Sequence, residues 1–237
     1  MTGRRVFVIS NDVVPGSAMP IAAPGLRAHG LASGLASNGA AATLVVPTGQ
    51  GRSPWRSPLP RPSQPSTAVV RPIDLREFLI TRSPATALIT NSNQIDRVEG
   101  IDGVDLVFDM FAPKMLELSC AVPAPTQQAL HKLAERKRRA LRASAGYIVN
   151  GSKKLSYLDQ WLNDSSVDPA SALVALAEMA VPATVSSAPP ASAGGPLRLL
   201  IAGYVQNWSR PGGWLTQLAS RLGDDVHLDV MLPPHWG

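Results

Sequence analysis

The residues of this chain whose types and spacing could do chemistry gather in three places. The first follows the apolar run RRVFVIS at residues 4–10, in a long loop that offers Gly16, Ser17 and Gly25, with Arg27 just beyond it. Small residues there let a ligand approach the backbone, and an arginine in a helix's first turn adds a cation where the dipole already favours anions. The plain alternative is that glycine and proline merely shape a long turn. The second place is FDMFAPKMLE, residues 108–117, with Asp109, Lys114 and Glu117. An aspartate at a strand's carboxyl end could accept a hydrogen bond from a sugar hydroxyl, or cap the next helix and do nothing else. The third place is the basic stretch 131–154. At 100° per residue Lys132, Arg136 and Arg139 form one stripe, while Leu130, Leu133, Ala134 and Leu141 form another. Lys137 falls inside the apolar stripe, either as a snorkelling stem or as an amine directed into a cleft.

Charge sharpens that third feature. Residues 131–154 hold eight Lys/Arg against one Glu, whereas 1–130 hold eleven against nine and 155–237 three against seven. The net charge of +5 therefore belongs to one segment. The exposed stripe reads either as a solvated helix face or as a contact for an anionic surface, where each cation contributes on the order of 1 kcal/mol. Nucleic acid ranks lower, since no aromatic stacking set accompanies the charge.

Composition excludes several classes. A chain 45% hydrophobic and 16% charged is not disordered throughout. A single cysteine, Cys120, allows neither an internal disulfide nor a multi-cysteine zinc site. His29, His131, His227 and His235 have no metal-ligand spacing. The four-residue apolar run before Asn11 is too short for a signal-peptide core, and nothing approaches the roughly eighteen apolar residues of a membrane span. The expectation is a cytoplasmic protein, with a peripheral contact at the inner face of the membrane if the basic stripe is used.

The elements that must position these residues alternate. RRVFVIS reads as a buried parallel strand, GLRAHGLASGLAS as a helix stopped by Asn38-Gly39, and AATLVVP as the next strand. Residues 48–66 carry five prolines and read as loop. TAVVRP, a short helix around IDLREFL, TALITN, VDLVFDM, a helix from about Gln127 to Arg142, and GYIVN continue the rhythm. KKLSYLDQWL and ASALVALAEMA read as two more helices. The fold class is α/β, a Rossmann-like parallel sheet with helices on both faces. The Pro/Ala/Ser/Gly tract 182–196 is a linker between a domain at 1–181 and a unit at 197–237. That unit reads as a strand, a helix and a strand, too little to bury two sheet faces. It is expected to be the start of a larger domain.

In order along the chain, these segments resemble family 4 glycosyltransferases of the GT-B fold. ISNDVVPGSAMPIAAPGLRAHGLASGLASNGAAATLVVP is similar to the family's first strand, small-residue loop, A-x-P-G-x-R helix start and second strand. DLVFDMFAPKMLE resembles its strand with an Asp, an aromatic, a Pro and a downstream Glu. IVNGSKKLSYLDQWL resembles the stretch after the last strand of the first domain, and LLIAGYVQNWSRPGGWLTQLASRL the opening of the second. The resemblance implies that Gly16 and Ser17 face the phosphates of a nucleotide-sugar donor. It implies that Pro24, Gly25 and Arg27 form the helix start, and that Asp109 and Lys114 line the acceptor side. Tyr204, Trp208 and Pro211 would open the donor domain in a structural role. The implied activity is transfer of a sugar from a nucleotide diphosphate, with retention of configuration, to a carbohydrate or lipid-linked acceptor. The implied chemistry needs no metal or other cofactor, since helix dipoles and cations stabilise the leaving diphosphate. The family's diphosphate-binding basic pair and its Glu-x₇-Glu element match nothing here, so the chain alone is expected to be inactive. Two alternatives remain at this point: a non-catalytic homologue that partners a complete transferase or docks on a membrane through 131–154, and another GT-B enzyme such as a nucleotide-sugar epimerase.

Overall fold

The computed structural model describes residues 4–15, 23–47, 65–119, 121, 123–178, 197–202, 211–222 and 226–231. The chain divides into two compact units, one made of residues 1–113 and 128–181, the other of 114–127 and 182–237.

The first unit is built on seven parallel strands: β1 (Arg5–Ile9), β2 (Ala42–Pro47), β3 (Ser66–Val70), β4 (Ala85–Ile89), β5 (Val104–Asp109), β6 (Ser144–Val149) and β7 (Val174–Leu176). Their order is β3-β2-β1-β4-β5-β6-β7, the layout of a Rossmann-like sheet. The order reverses between β1 and β4. Because parallel crossovers are right-handed, that reversal sends the helices before and after it to opposite faces.

Packing bears this out. Helix α1 (Ala23–Ser37) lies against Val8, Leu44 and Leu88, with Ala28 and Ala32 fully buried between them. Side chains alternate along a strand, so Phe7 points the other way. It meets Phe78 of α2 (Leu75–Ile80) edge to face, ring centres 5.3 Å apart. Arg76 of α2 donates to Glu99 O and Gly100 O, just past the short helix α3 (Ile95–Val98). Arg139 of α5 (Gln127–Ala143) pairs with Asp96 on that same helix and with Glu99 just after it. Packed against α5 through Lys137 is α6 (Leu155–Asp164). One face thus carries α2, α3, α5 and α6, while α1 lies on the other.

Helix α1 ends as its sequence requires. Gly39 has φ +82°, and Ala40 N–H reaches back to Leu35 O at 3.0 Å, so the last carbonyls are satisfied. At its start Gly25 sits so close to the preceding turn that a Cβ would lie 1.6 Å from Val13 O. Only a residue without a side chain allows that approach.

ASALVALAEMA does not form the expected helix. Asp168 caps a single 3₁₀ turn at Pro169–Ser171 through its side chain, and Val174–Leu176 then pairs with β6 as strand β7. The open edge of β6 supplies a ladder of backbone hydrogen bonds, and this outweighs the helix propensity of Ala and Leu, which sums to little over so short a run.

The second unit contains a short helix α4 (Lys114–Ser119), a parallel pair β8 (Leu197–Ala202) and β9 (Val226–Met231), and α7 (Pro211–Arg221). Arg198 and Asp229 pair across the two strands at 2.7 Å.

Gly25→Ala is expected to cost about 3 kcal/mol, because the clash is with backbone and α1 must shift as a whole. A urea titration checks this, and a loss below about 1 kcal/mol would show that the turn at Val13 yields.

Candidate functional site

The carboxyl ends of β1 and β4, on either side of the strand-order reversal, are where an open parallel sheet binds ligands. Here they are cross-linked by one buried side chain. Gln94 donates through Nε2 to Ile9 O (3.2 Å) and Ser10 O (3.0 Å), and its Oε1 accepts from Thr90 N–H (3.1 Å) and Asn91 N–H (3.2 Å). Thr90 Oγ1 adds a bond to Ile9 O at 3.1 Å. Beyond this cross-link the rim is polar. Asn11 is exposed, half-buried Asp12 accepts from Val13 N–H at 2.7 Å, and half-buried Asn91 accepts from Asn93 N–H at 2.9 Å. Sequence reading missed Gln94. Its signal was the spacing Asn91-x-x-Gln94 directly after a buried strand, which forms a reciprocal capping box.

Arg27 and Asp109 occupy an adjoining position and hold each other. Nε and Nη2 of Arg27 each lie 2.9 Å from a different carboxylate oxygen of Asp109, while Nη1 donates to Ala177 O. The side chains are 2% and 0% exposed. The sequence reading offered Arg27 to an anion and Asp109 to a sugar hydroxyl or a helix cap. In the structure the guanidinium and both carboxylate oxygens are already engaged with one another. Burial pushes the Asp109 carboxyl above its ordinary value, and the opposing pulls of Arg27 and then Lys154 limit the rise. Lys154 follows β6 and donates its amine to Phe111 O, which ties the ends of β5 and β6 together.

The other candidates lie elsewhere. Gly25 is buried at the start of α1, held against Val13. Gly16, Ser17, Tyr204 and Trp208 lie outside the described residues. Lys114 is half-exposed and pairs with Glu117 at 3.8 Å within the second unit.

On α5, Arg136 donates to Asp96 at 3.0 Å, and Arg139 bonds both Asp96 (2.7 Å) and Glu99. Two of the three cations proposed for an anionic surface therefore face carboxylates on α3. With Asp96 and Glu99 included, the stripe of Lys132, Arg136 and Arg139 carries a net charge of +1. Among the described residues no helix is long and apolar enough to cross a membrane, and no cluster of His, Cys, Asp and Glu is set to hold a metal.

Lys137 is inside the protein, 4% exposed. Its amine donates to Tyr157 Oη at 3.0 Å and sits 4.3 Å from the Trp161 ring centre and 4.6 Å from that of Tyr157. Neighbouring Glu135 is paired with Arg138, and among the described residues no carboxylate pairs with Lys137. Burial lowers its pKa to about 7, from an ordinary 10.5. Of the two sequence readings, the snorkelling stem is set aside, because the amine itself is enclosed between α5 and α6.

Neither a known protein family nor a curated protein sequence matches the chain. The site is a polar rim at the carboxyl ends of β1 and β4, which Gln94 joins, with the closed Arg27–Asp109 pair at the end of β5. That arrangement suits hydrogen-bonded recognition of a polar ligand. Among its described residues the rim offers no paired nucleophile and base.

Three consequences can be measured. Arg27→Met strands a buried carboxylate and is expected to cost about 3–5 kcal/mol, whereas Arg27→Met with Asp109→Leu recovers much of it. The sign with pH follows from the raised carboxyl. A group whose folded pKa exceeds its unfolded value stabilises in acid and loses that contribution as pH rises through the folded pKa. Thermal melts of Arg27→Met should therefore fall as pH climbs above 3.8, and those of the double variant should not share that fall.

Lys137 works in the opposite sense. Its lowered pKa means that stability is gained as pH rises from about 7 towards 10.5 and is lost on the way back down. Urea titrations at pH 7 and pH 9.5 should show this slope in the wild type and lose it in Lys137→Met. An unchanged slope in the variant would assign the effect to another group.

Proposed function

We propose that this chain is the acceptor-side part of a retaining, nucleotide-sugar-dependent glycosyltransferase that works in the cytoplasm. One observation carries the reading. Two of the four segments on which the resemblance rests, the A-x-P-G-x-R helix start and the strand ending in Asp109, are joined by residues 82 apart in one buried, two-pronged ion pair. The pairing gives both motifs a common physical purpose. Arg27 and Asp109 build the frame, and the carboxyl ends of β1 and β4 beside them receive the ligand. The sheet order and the polar rim of Asn11, Asp12 and Asn91 support the same reading, since hydroxyl-rich ligands call for a mixture of donors and acceptors.

In this reading the acceptor hydroxyls lie over the carboxyl ends of β1 and β4. Asp12 accepts from one of them and the Asn11 amide donates to another. The donor's diphosphate is met by the helix N-terminus and by the loop carrying Gly16 and Ser17. No further cofactor is needed.

The test is saturation-transfer NMR on the whole chain with soluble glycans and with detergent-solubilised lipid-linked sugars. It is run alongside an assay for nucleoside diphosphate release from UDP- and GDP-sugars. At least one acceptor class is expected to bind and to lose its signal in Asn11→Trp, which fills the rim. Absence of binding across the panel, or binding indifferent to that substitution, overturns the proposal.

A further inference from the structure

The third hydrogen bond of Arg27 has no role in holding Asp109, and it reaches the place where the chain leaves the sheet. Strand β7 is three residues long and lies at the sheet's edge. Its side chains give it little hold: Val174 is half-buried, Ala175 and Leu176 are exposed, and Leu173 just before it is 74% exposed. A short edge strand without buried side chains opens at low cost, because nothing but its own ladder resists. Here the ladder to β6 consists of the pairs Tyr147–Val174, Ile148–Ala175 and Val149–Leu176, with Tyr147 N–H on Leu173 O and Ala177 N–H on Val149 O, both at 2.9 Å.

Arg27 adds a clamp from outside that ladder. Its guanidinium cannot turn away from Ala177, because the other two nitrogens are fixed by the carboxylate of Asp109. The planar fork meets both carboxylate oxygens in parallel and still aims a further N–H at Ala177, a geometry that the compact ammonium of a lysine does not reproduce. Ala177 is thereby held on both sides, through its N–H by Val149 and through its carbonyl by Arg27. From Glu178 the chain passes through the Pro/Ala/Ser/Gly tract to β8 of the second unit.

We propose that Arg27 is a positioning residue whose guanidinium anchors the exit of the chain from the sheet at Ala177. The start of the linker is then referred to the same helix whose first turn is pressed against Val13 at Gly25. The inference is independent of what the carboxyl ends of β1 and β4 bind.

Hydrogen–deuterium exchange on the full chain tests it, with wild type, Arg27→Lys and the Arg27→Met/Asp109→Leu double variant. In both variants the amides of residues 174–178 are expected to exchange about tenfold faster, the effect of losing one charge-assisted hydrogen bond. Peptides from β4 and β5 should keep wild-type protection in at least the double variant, whose buried pair is replaced by apolar groups. That contrast separates anchoring from general stability, which would move the whole sheet together. Unchanged protection at 174–178, or a loss there no greater than in β4 and β5, overturns the proposal. Should Arg27→Lys fail to fold, the double variant decides between the same outcomes.

Discussion

The first unit depends on one buried ion pair. Arg27 and Asp109 are almost wholly removed from water, and burying an isolated charge of either kind would cost several kcal/mol. They are tolerated because each meets the other's need in full: two parallel hydrogen bonds, opposite charge, and a backbone carbonyl for the remaining nitrogen of the fork. An apolar pair could fill the same space without that desolvation. What it could not do is tie the first turn of α1, the end of β5 and the exit of β7 into a fixed arrangement, because apolar contact has no direction.

The pair also reflects an uneven sheet. Helices α2, α3, α5 and α6 cover one face, knitted by Phe7 on Phe78, Arg76 on the end of α3, and the ion pairs of Arg136 and Arg139. On the other face α1 packs over Val8, Leu44 and Leu88. Beside it runs a groove of about 500 Å³ lined by Leu31, Leu35, Leu88, Ile148 and Ala175. Arg27 stands in that groove's wall. It draws α1 towards β5 and β7 across a part of the sheet where apolar packing is thin.

Much of the architecture was legible along the chain. Apolar runs such as FVI in β1 and LVV in β2 are buried on both faces, and that continuous apolarity marks parallel strands. The amphipathic period of α5 was clear enough to set its limits within a residue at the carboxyl end. ASALVALAEMA misled because Ala and Leu suit helices locally. Its fate was decided by the vacant edge of β6, which lies far away in sequence. Gln94 was overlooked among polar neighbours, for an amide is informative only when the backbone groups it joins are known. Arg27 and Asp109 were both singled out, each for a ligand, since nothing in their local patterns says that residues 82 apart will touch.

By itself, then, the amino-acid sequence determined strands β1 to β6 and the longer helices, the parallel α/β class and the concentration of positive charge in one segment. These follow from periodicity and composition, which act over a few residues. Tertiary structure alone decided which charges are free. It joined Arg27 to Asp109, set Arg136 and Arg139 against Asp96 and Glu99, and enclosed the Lys137 amine between Tyr157 and Trp161. The reason is physical: a side chain's charge state and availability depend on the dielectric and the partners around it. Those are brought together only when distant segments close on one another.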